Sequence, residues 1–502
     1  MSTPHKTPQR PNIILIMTDQ QRTDTIAAWG HEHMVTPNLD RLAREGISFS
    51  QAFCPGATCI SSRAAMFTGM YAHNTGVYSF DRWADHRNWV QDLAENGYRC
   101  VSMGKMHFSP RDVRGGFHER VIVENPTSMT HARGGVDDDW GRYLSLHGVE
   151  RPLGRNQTDP EWIQKHQGIP WHHEEHLHSD VFIGNSAVSW IESYRGTGPV
   201  FLQVGFTGPH EPWDPLPRHL ALYAGREMPP RVMREGELAD KPPQQTRIRD
   251  FHAEATHESQ IDLDGADETE IAEMRRHYYA KVTTVDEQIG RVLDALEARG
   301  MLENSLVIMC SDHGEMLGDH GMAYKWLMYD PIVNVPLIVW QPGAGNTPRQ
   351  VNDLVTLMDL GPTILETAGI HVPTYLEGRS LLPYLAGQEV DPHPFVFCED
   401  NYQVMMRSAE CKLVYYIGQE AGELYDLRED RHELWNRWDD PAYAGIKGQL
   451  LARLLDWLAS STYWNAGYRR ARSTDYRMRW PTEANVNLHG RVSVENPFPQ
   501  EW

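Results

Sequence analysis

The sequence has no run approaching the ~20 apolar residues of a membrane span. Its first residues form a short polar arm leading straight into an apolar stretch. They lack the apolar region and small-residue cleavage site of a secretory signal. There are 6 cysteines in 502 residues, at 54, 59, 100, 310, 398 and 411, and none form a Cys-x-x-Cys pair. Together these absences predict a reducing, cytoplasmic setting with mostly buried thiols and no membrane partner. Positive charge is also scarce. Lys plus Arg number 47 against 68 Asp plus Glu, a net charge of −21. That balance argues against nucleic acid as a partner, and means that an anionic substrate must be drawn in by a local cluster of positive side chains. No internal repeat or low-complexity segment stands out.

What is present is a recurring strand pattern. Apolar runs at 12–18, 99–103, 199–205, 305–310 and 335–340 read as strands buried on both faces. Amphipathic stretches at 36–46, 89–97, 181–194 and 272–300 read as helices, three of them closed by Gly46, Gly97 and Gly300. Such alternation predicts an α/β fold with a mostly parallel central sheet between helices. Segments 110–180 and 210–270 are polar and rich in Pro, Gly and His, and read as insertions over one sheet edge. After about 385 the texture changes. Runs at 394–400, 402–408, 411–417 and 423–427 read as a small antiparallel sheet, followed by a helix over 441–460. Three units are therefore expected: a catalytic domain over 1–385, a subdomain over 386–460, and a tail over 461–502. The tail carries Trp464, Tyr468, Tyr476, Trp480, Phe498 and Trp502 with several Arg, a composition that predicts packing against this chain or a neighbour in a homo-oligomer.

Chemistry-bearing residues fall where the strands end. Asp19, Lys105, His107, His210, Asp312 and His313 each follow the carboxyl end of an apolar run. In open α/β sheets that edge is where ligands bind. Cys59 stands at the start of an apparent helix with Arg63 four residues on. The free N–H groups of a helix start and a nearby Arg both favour an anion there. The irregular His cluster over 166–178 reads as a solvated loop rather than a second metal site, and the acidic run 264–270 as a helix lead-in.

The segment Cys59-Ile60-Ser61-Ser62-Arg63, closed by Thr68-Gly69, resembles the type I sulfatase signature Cys-x-Pro/Ala-x-Arg followed by Thr-Gly. The likeness continues in the family's order. It takes in 18–24, resembling the first metal motif, and 36–46, resembling the first helix. It also takes in Gly104-Lys105-Met106-His107, Pro209-His210-Glu211-Pro212, the stretch 311–321 with Lys325 and Tyr329, and the C-terminal hairpin 423–430. The chain is thereby identified as resembling the formylglycine-dependent sulfatases of the alkaline phosphatase superfamily. It also resembles choline sulfatases and phosphonate monoester hydrolases among bacterial members. The one departure is Ser61, where the family usually has Pro or Ala, a position read by the modifying enzyme.

The resemblance implies a metal-dependent hydrolase of sulfate esters, with formylglycine made from Cys59 by a formylglycine-generating enzyme. Asp19, Gln20, Asp312, His313 and the modified Cys59 would hold one divalent cation. Such an oxygen and imidazole set suits Mn²⁺, Ca²⁺ or Mg²⁺, and His313 tilts it toward Mn²⁺. Arg63 and Lys105 would hold the nucleophile's oxygens. His107 would take a proton from the formylglycine hydrate, and His210 and Lys325 would meet the transferred group and protonate the leaving oxygen. A phosphonate monoester or phosphate diester substrate fits the same motifs. A non-catalytic metal-binding relative is a third reading, and the complete set of six catalytic candidates argues against it.

Overall fold

The structure is a computed structural model describing residues 10–125, 138–151, 166, 168–254, 261–345 and 347–466. Its strands, in chain order, are β1 (Asn12–Asp19), β2 (Ile47–Phe49), β3 (Ala52–Phe53), β4 (Arg99–Gly104), β5 (Glu119–Ile122), β6 (Val200–Pro209) and β7 (Ser305–Ser311). They continue with β8 (Leu337–Trp340), β9 (Arg349–Val351), β10 (Val355–Thr356), β11 (Val396–Asp400), β12 (Gln403–Arg407), β13 (Cys411–Tyr416) and β14 (Gly422–Asp426). Eight of them form one sheet in the order β5-β4-β6-β1-β7-β8-β2-β9. All run parallel except β8, which opposes both β7 and β2.

The central strands are apolar throughout because both faces are covered. Ile13, Leu15 and Met17 of β1 enter one core, and Ile14 and Ile16 enter the other, as the alternation of a strand requires. The second core is closed by helices Ser179–Ser193 and Glu268–Ala298, which pack on each other and on β6. The longer one begins at a capping box between Asp267 and Glu270, so the acidic run before it is a helix start. His178 caps the other, its Nδ1 accepting from Asp180 N at 3.1 Å, so this member of the His cluster is structural.

The fold is the α/β architecture expected, with a mostly parallel sheet and a smaller antiparallel one. The expected insertion over 110–180 is corrected in part. It contributes β5, which extends the sheet beside β4, and the helix Asp139–Leu146. β5 escaped notice because its four residues, Glu-Arg-Val-Ile, are all half-buried and form no apolar run. At the far end β11–β14 form a four-stranded antiparallel sheet in chain order. The following helix, Ala444–Trp464, continues beyond residue 460 and packs Leu450, Leu454 and Trp457 on that sheet. The tail expected over 461–502 lies, from residue 467 on, outside the described residues. No helix among the described residues is long and apolar enough to cross a membrane.

Candidate active site

β1, β4, β6 and β7 deliver their ends to one place. Asp19 closes β1, Lys105 follows β4, His210 follows β6, and Asp312 and His313 follow β7. Gly104 makes the turn at β4 possible. Its φ is +102°, and a Cβ there would lie 2.0 Å from the carbonyl oxygen of Gly205 on β6. Cys59 is the first residue of the helix Cys59–Thr68, every residue of which is buried. Ser62 Oγ of that helix donates to the Asp312 carbonyl at 2.6 Å. Arg63, one turn along, donates from Nε to Asp312 Oδ2 at 2.7 Å and from Nη1 to the Lys105 carbonyl at 2.9 Å.

Asp19, Cys59, Asp312 and His313 present ligand atoms that all lie within 4.8 Å of one another, and all four residues are buried. Asp19 Oδ1 and His313 Nε2 have no hydrogen-bond partner. Buried polar atoms are normally paired, and two orphans facing each other at 3.7 Å mark a place for a cation. His313 Nδ1 donates to the Gly314 carbonyl at 2.8 Å, which leaves Nε2 as the lone-pair nitrogen a metal needs. The donor set therefore fits a divalent ion. Gln20 stands beside it. Its backbone N–H donates to Asp312 Oδ1 at 3.1 Å, while its side-chain oxygen accepts from Lys325 Nζ at 2.6 Å.

Positive charge surrounds the cluster. Lys105 Nζ is paired with Asp19 Oδ2, and Lys325 Nζ stands 3.7 Å from Cys59 Sγ. Burial opposes ionisation of Asp19, but Lys105 foremost, then His210, Lys325 and Arg63, hold its carboxyl well below the usual range. Burial likewise opposes the Cys59 thiolate, and Lys105, Lys325 and His107 overcome it, bringing the thiol well below its ordinary value. Burial disfavours charge on Lys325 too, yet Cys59, Glu211, Asp19 and Asp312 together raise it above the usual lysine range. The local cluster demanded by a chain of net charge −21 is present.

His107 lies at the rim, half-buried, with φ +59°. Its carbonyl accepts from Trp83 Nε1 at 2.8 Å, its N–H donates to Glu124 Oε1 at 3.2 Å, and its Nδ1 has no partner. His210 is held through a residue the sequence did not disclose, Asn125. Lys105 Nζ can only donate, so Asn125 Oδ1 faces it, at 2.5 Å. Asn125 Nδ2 is then left to donate to His210 Nε2 at 2.8 Å, and His210 Nδ1 donates to the Glu211 carbonyl at 2.8 Å. Its only proton sits on Nδ1. Burial, opposed by Glu211, pushes its pKa down to about 4. Glu211, Glu315 and Asp400 are further buried acids of the site that sequence reasoning passed over. Two of them lay inside the quoted motifs, but only the fold shows what they touch.

A mostly parallel sheet with a buried cysteine at a helix start, a cluster of two carboxylates, that thiol and an imidazole able to hold a metal ion, and a ring of Lys and Arg is the arrangement of an alkaline phosphatase-like hydrolase fold. The sulfatase family model matches residues 11–370, and a model described as the N-sulphoglucosamine sulphohydrolase C-terminal region matches 318–460. The chain belongs to the sulfatase family. It is 28% identical over 457 residues to an arylsulfatase of Clostridium perfringens, covering 86% of this chain and 91% of that protein. It is 30% identical over 470 residues to a sulfatase of Escherichia coli, covering 90% and 87%. Among solved structures, a phosphonate monoester hydrolase of Agrobacterium radiobacter superposes with a TM-score of 0.76 at 25% identity, covering 90% of this chain and 96% of that one.

Proposed function

We propose that this chain hydrolyses sulfate esters with residue 59 as nucleophile, after oxidation of Cys59 to formylglycine by a formylglycine-generating enzyme. The observation that carries the reading is the convergence of Cys59, Asp19, Asp312 and His313 within 4.8 Å, ringed by Arg63, Lys105 and Lys325. The formylglycine, once hydrated, supplies two hydroxyls at residue 59, one to attack sulfur and one to let sulfate be released without water attacking sulfur. A divalent cation, Mn²⁺, Ca²⁺ or Mg²⁺, held by Asp19, Asp312, His313 and residue 59 with Gln20 alongside, supplies Lewis-acid charge.

The chain's own groups do the rest. Arg63 and Lys105 orient the residue-59 oxygens and bring positive charge to the sulfuryl oxygens. Lys325 meets the transferred group and donates the proton that the leaving oxygen needs, a role supported by its 3.7 Å approach to Cys59 Sγ and its raised pKa. His210, with Nε2 accepting from Asn125 and Nδ1 donating to the Glu211 carbonyl, lines the site on the β6 side and orients Asn125 against Lys105. His107, with a free Nδ1, accepts the proton from the second hydroxyl. A reducing compartment belongs to the same proposal, supported by six unpaired cysteines, five of them buried. So does a homo-oligomer, supported by the aromatic and Arg content of the C-terminal tail.

The second reading, a phosphonate monoester or phosphate diester hydrolase, is supported by likeness to the Agrobacterium enzyme. Both are tested by assaying metal-loaded protein on an aryl sulfate, choline sulfate, a phosphonate monoester and a phosphate diester. Turnover of sulfates above the others is expected. Turnover of the phosphonate alone selects the second reading, and turnover of none refutes both.

A further inference from the structure

Gln20 is buried completely, and besides standing next to the metal-ligand cluster its side chain is the hub of a bridge to two acids and Lys325. Its Nε2 donates to Glu211 Oε2 at 2.9 Å and to Glu315 Oε2 at 2.5 Å. Its Oε1 accepts from Lys325 Nζ at 2.6 Å. The orientation of the amide follows from chemistry. An ammonium can only donate, so the amide oxygen must face Lys325 and the amide nitrogen must face the two acids.

Each acid also holds a second part of the site. Glu315 Oε1 accepts from Tyr324 N at 2.5 Å and Leu317 N at 2.9 Å, which pins the backbone immediately before Lys325. Glu211 Oε2 lies 3.1 Å from His210 Nδ1. Glu315 is fully buried and Glu211 is 6% exposed. Burying two acids side by side is costly, so their retention beside one amide calls for a role that an apolar pair would not fill.

We propose that Glu211 and Glu315 are positioning residues, a carboxylate clamp that fixes the Gln20 amide and thereby sets Lys325 against residue 59 for proton delivery to the leaving group. This rests on the assignment of residue 59 as nucleophile and Lys325 as leaving-group donor. The two carboxylates contact Gln20, His210 and the backbone at Leu317 and Tyr324. Their effect passes through Lys325, so it scales with how much the leaving oxygen needs a proton.

Glu315→Gln tests this with little change of shape. Its amide oxygen can still take the two backbone N–H groups, but its NH₂ then confronts the NH₂ of Gln20, donor against donor. The assay compares an alkyl sulfate with nitrophenyl sulfate, alongside metal content and the thermal unfolding midpoint. Expected is a loss in kcat of about 10²-fold on the alkyl ester and under about threefold on the nitrophenyl ester, with metal retained. Should Glu315→Gln fail to fold, Glu211→Leu removes the other acceptor and is expected to show the same asymmetry. Equal losses on the two esters in a folded, metal-loaded variant overturn the clamp, as does no loss on either. A wild-type protein that cleaves phosphonate but not sulfate esters shifts the comparison to alkyl and nitrophenyl phosphonates, where the same asymmetry is required. A wild-type protein inactive on all of them refutes the hydrolase assignment itself.

Discussion

Ser61 Oγ donates to Asp400 Oδ2 across 2.9 Å, joining the helix of Cys59 to β11 of the C-terminal sheet. Thr58 Oγ1 donates to the same oxygen at 2.9 Å. Asp400 is thus held by hydroxyls on both sides of Cys59, and all three residues are buried. Position 61 is where this sequence leaves the family's usual Pro or Ala, and the serine found there has a partner in the fold.

That contact has a pH signature. Burial raises Asp400 from its ordinary 3.8 to about 6, with hydrogen bonds from Ser61, Asn401 and Thr58 offsetting part of the shift. The folded protein therefore binds this proton more tightly than the unfolded chain. Its contribution to stability is greatest below about pH 4, declines as pH rises to about 6, and is level above that. A shift of about two units corresponds to at most roughly 3 kcal/mol. Asp400→Asn lacks this titration, so its urea midpoint relative to wild type is expected to improve between about pH 4 and about pH 7. A difference that does not change with pH contradicts the assignment.

The metal cluster predicts a linkage between ion and stability. Removing the ion with a chelator should abolish turnover and lower the unfolding temperature, since a ligand of the folded state stabilises it. Asp312 serves both Arg63 and the cluster. Asp312→Asn should weaken metal binding by at least about tenfold, read by titration of the apo-protein. Undiminished affinity would remove Asp312 from the ligand set.

Lys325 and His210 are separated by their hydrogen-bond networks. His210 Nε2 is occupied by a donor, Asn125 Nδ2, whereas Lys325 Nζ points at both Gln20 and Cys59. Lys325→Ala should therefore depress turnover of alkyl sulfates by about 10²-fold or more beyond its effect on nitrophenyl sulfate. His210→Ala should depress both esters alike, because it orients Asn125 beside Lys105 and delivers no proton to the leaving group. The reverse pattern would make His210 the donor.

Much of this site was legible because strands buried on both faces announce themselves. The apolar runs ending at Asp19, Lys105, His210 and Asp312 located the sheet and its carboxyl edge together. The residues that escaped were those whose role depends on a partner far along the chain. Asn125 follows β5, which has no apolar run to mark it. Glu315 sits within a recognised motif, but its bond to Gln20 spans 295 residues. Asp400 reads in sequence as the end of an ordinary strand, and only the packing of β11 beside Pro55, whose carbonyl accepts from Glu399 N, brings it to Ser61.

The nucleophile at residue 59 is the central claim. Cys59→Ala should have no turnover. Cys59→Ser offers one hydroxyl without the second, so it should stop as a covalent sulfate ester after a single turnover, visible as added mass. The most direct measurement is mass spectrometry of the peptide carrying residue 59, from wild-type protein made in a host with the maturation enzyme and assayed in parallel. The account predicts an aldehyde, or its hydrate, at residue 59 in protein that turns over. A free thiol at residue 59 with full, metal-dependent turnover would contradict it.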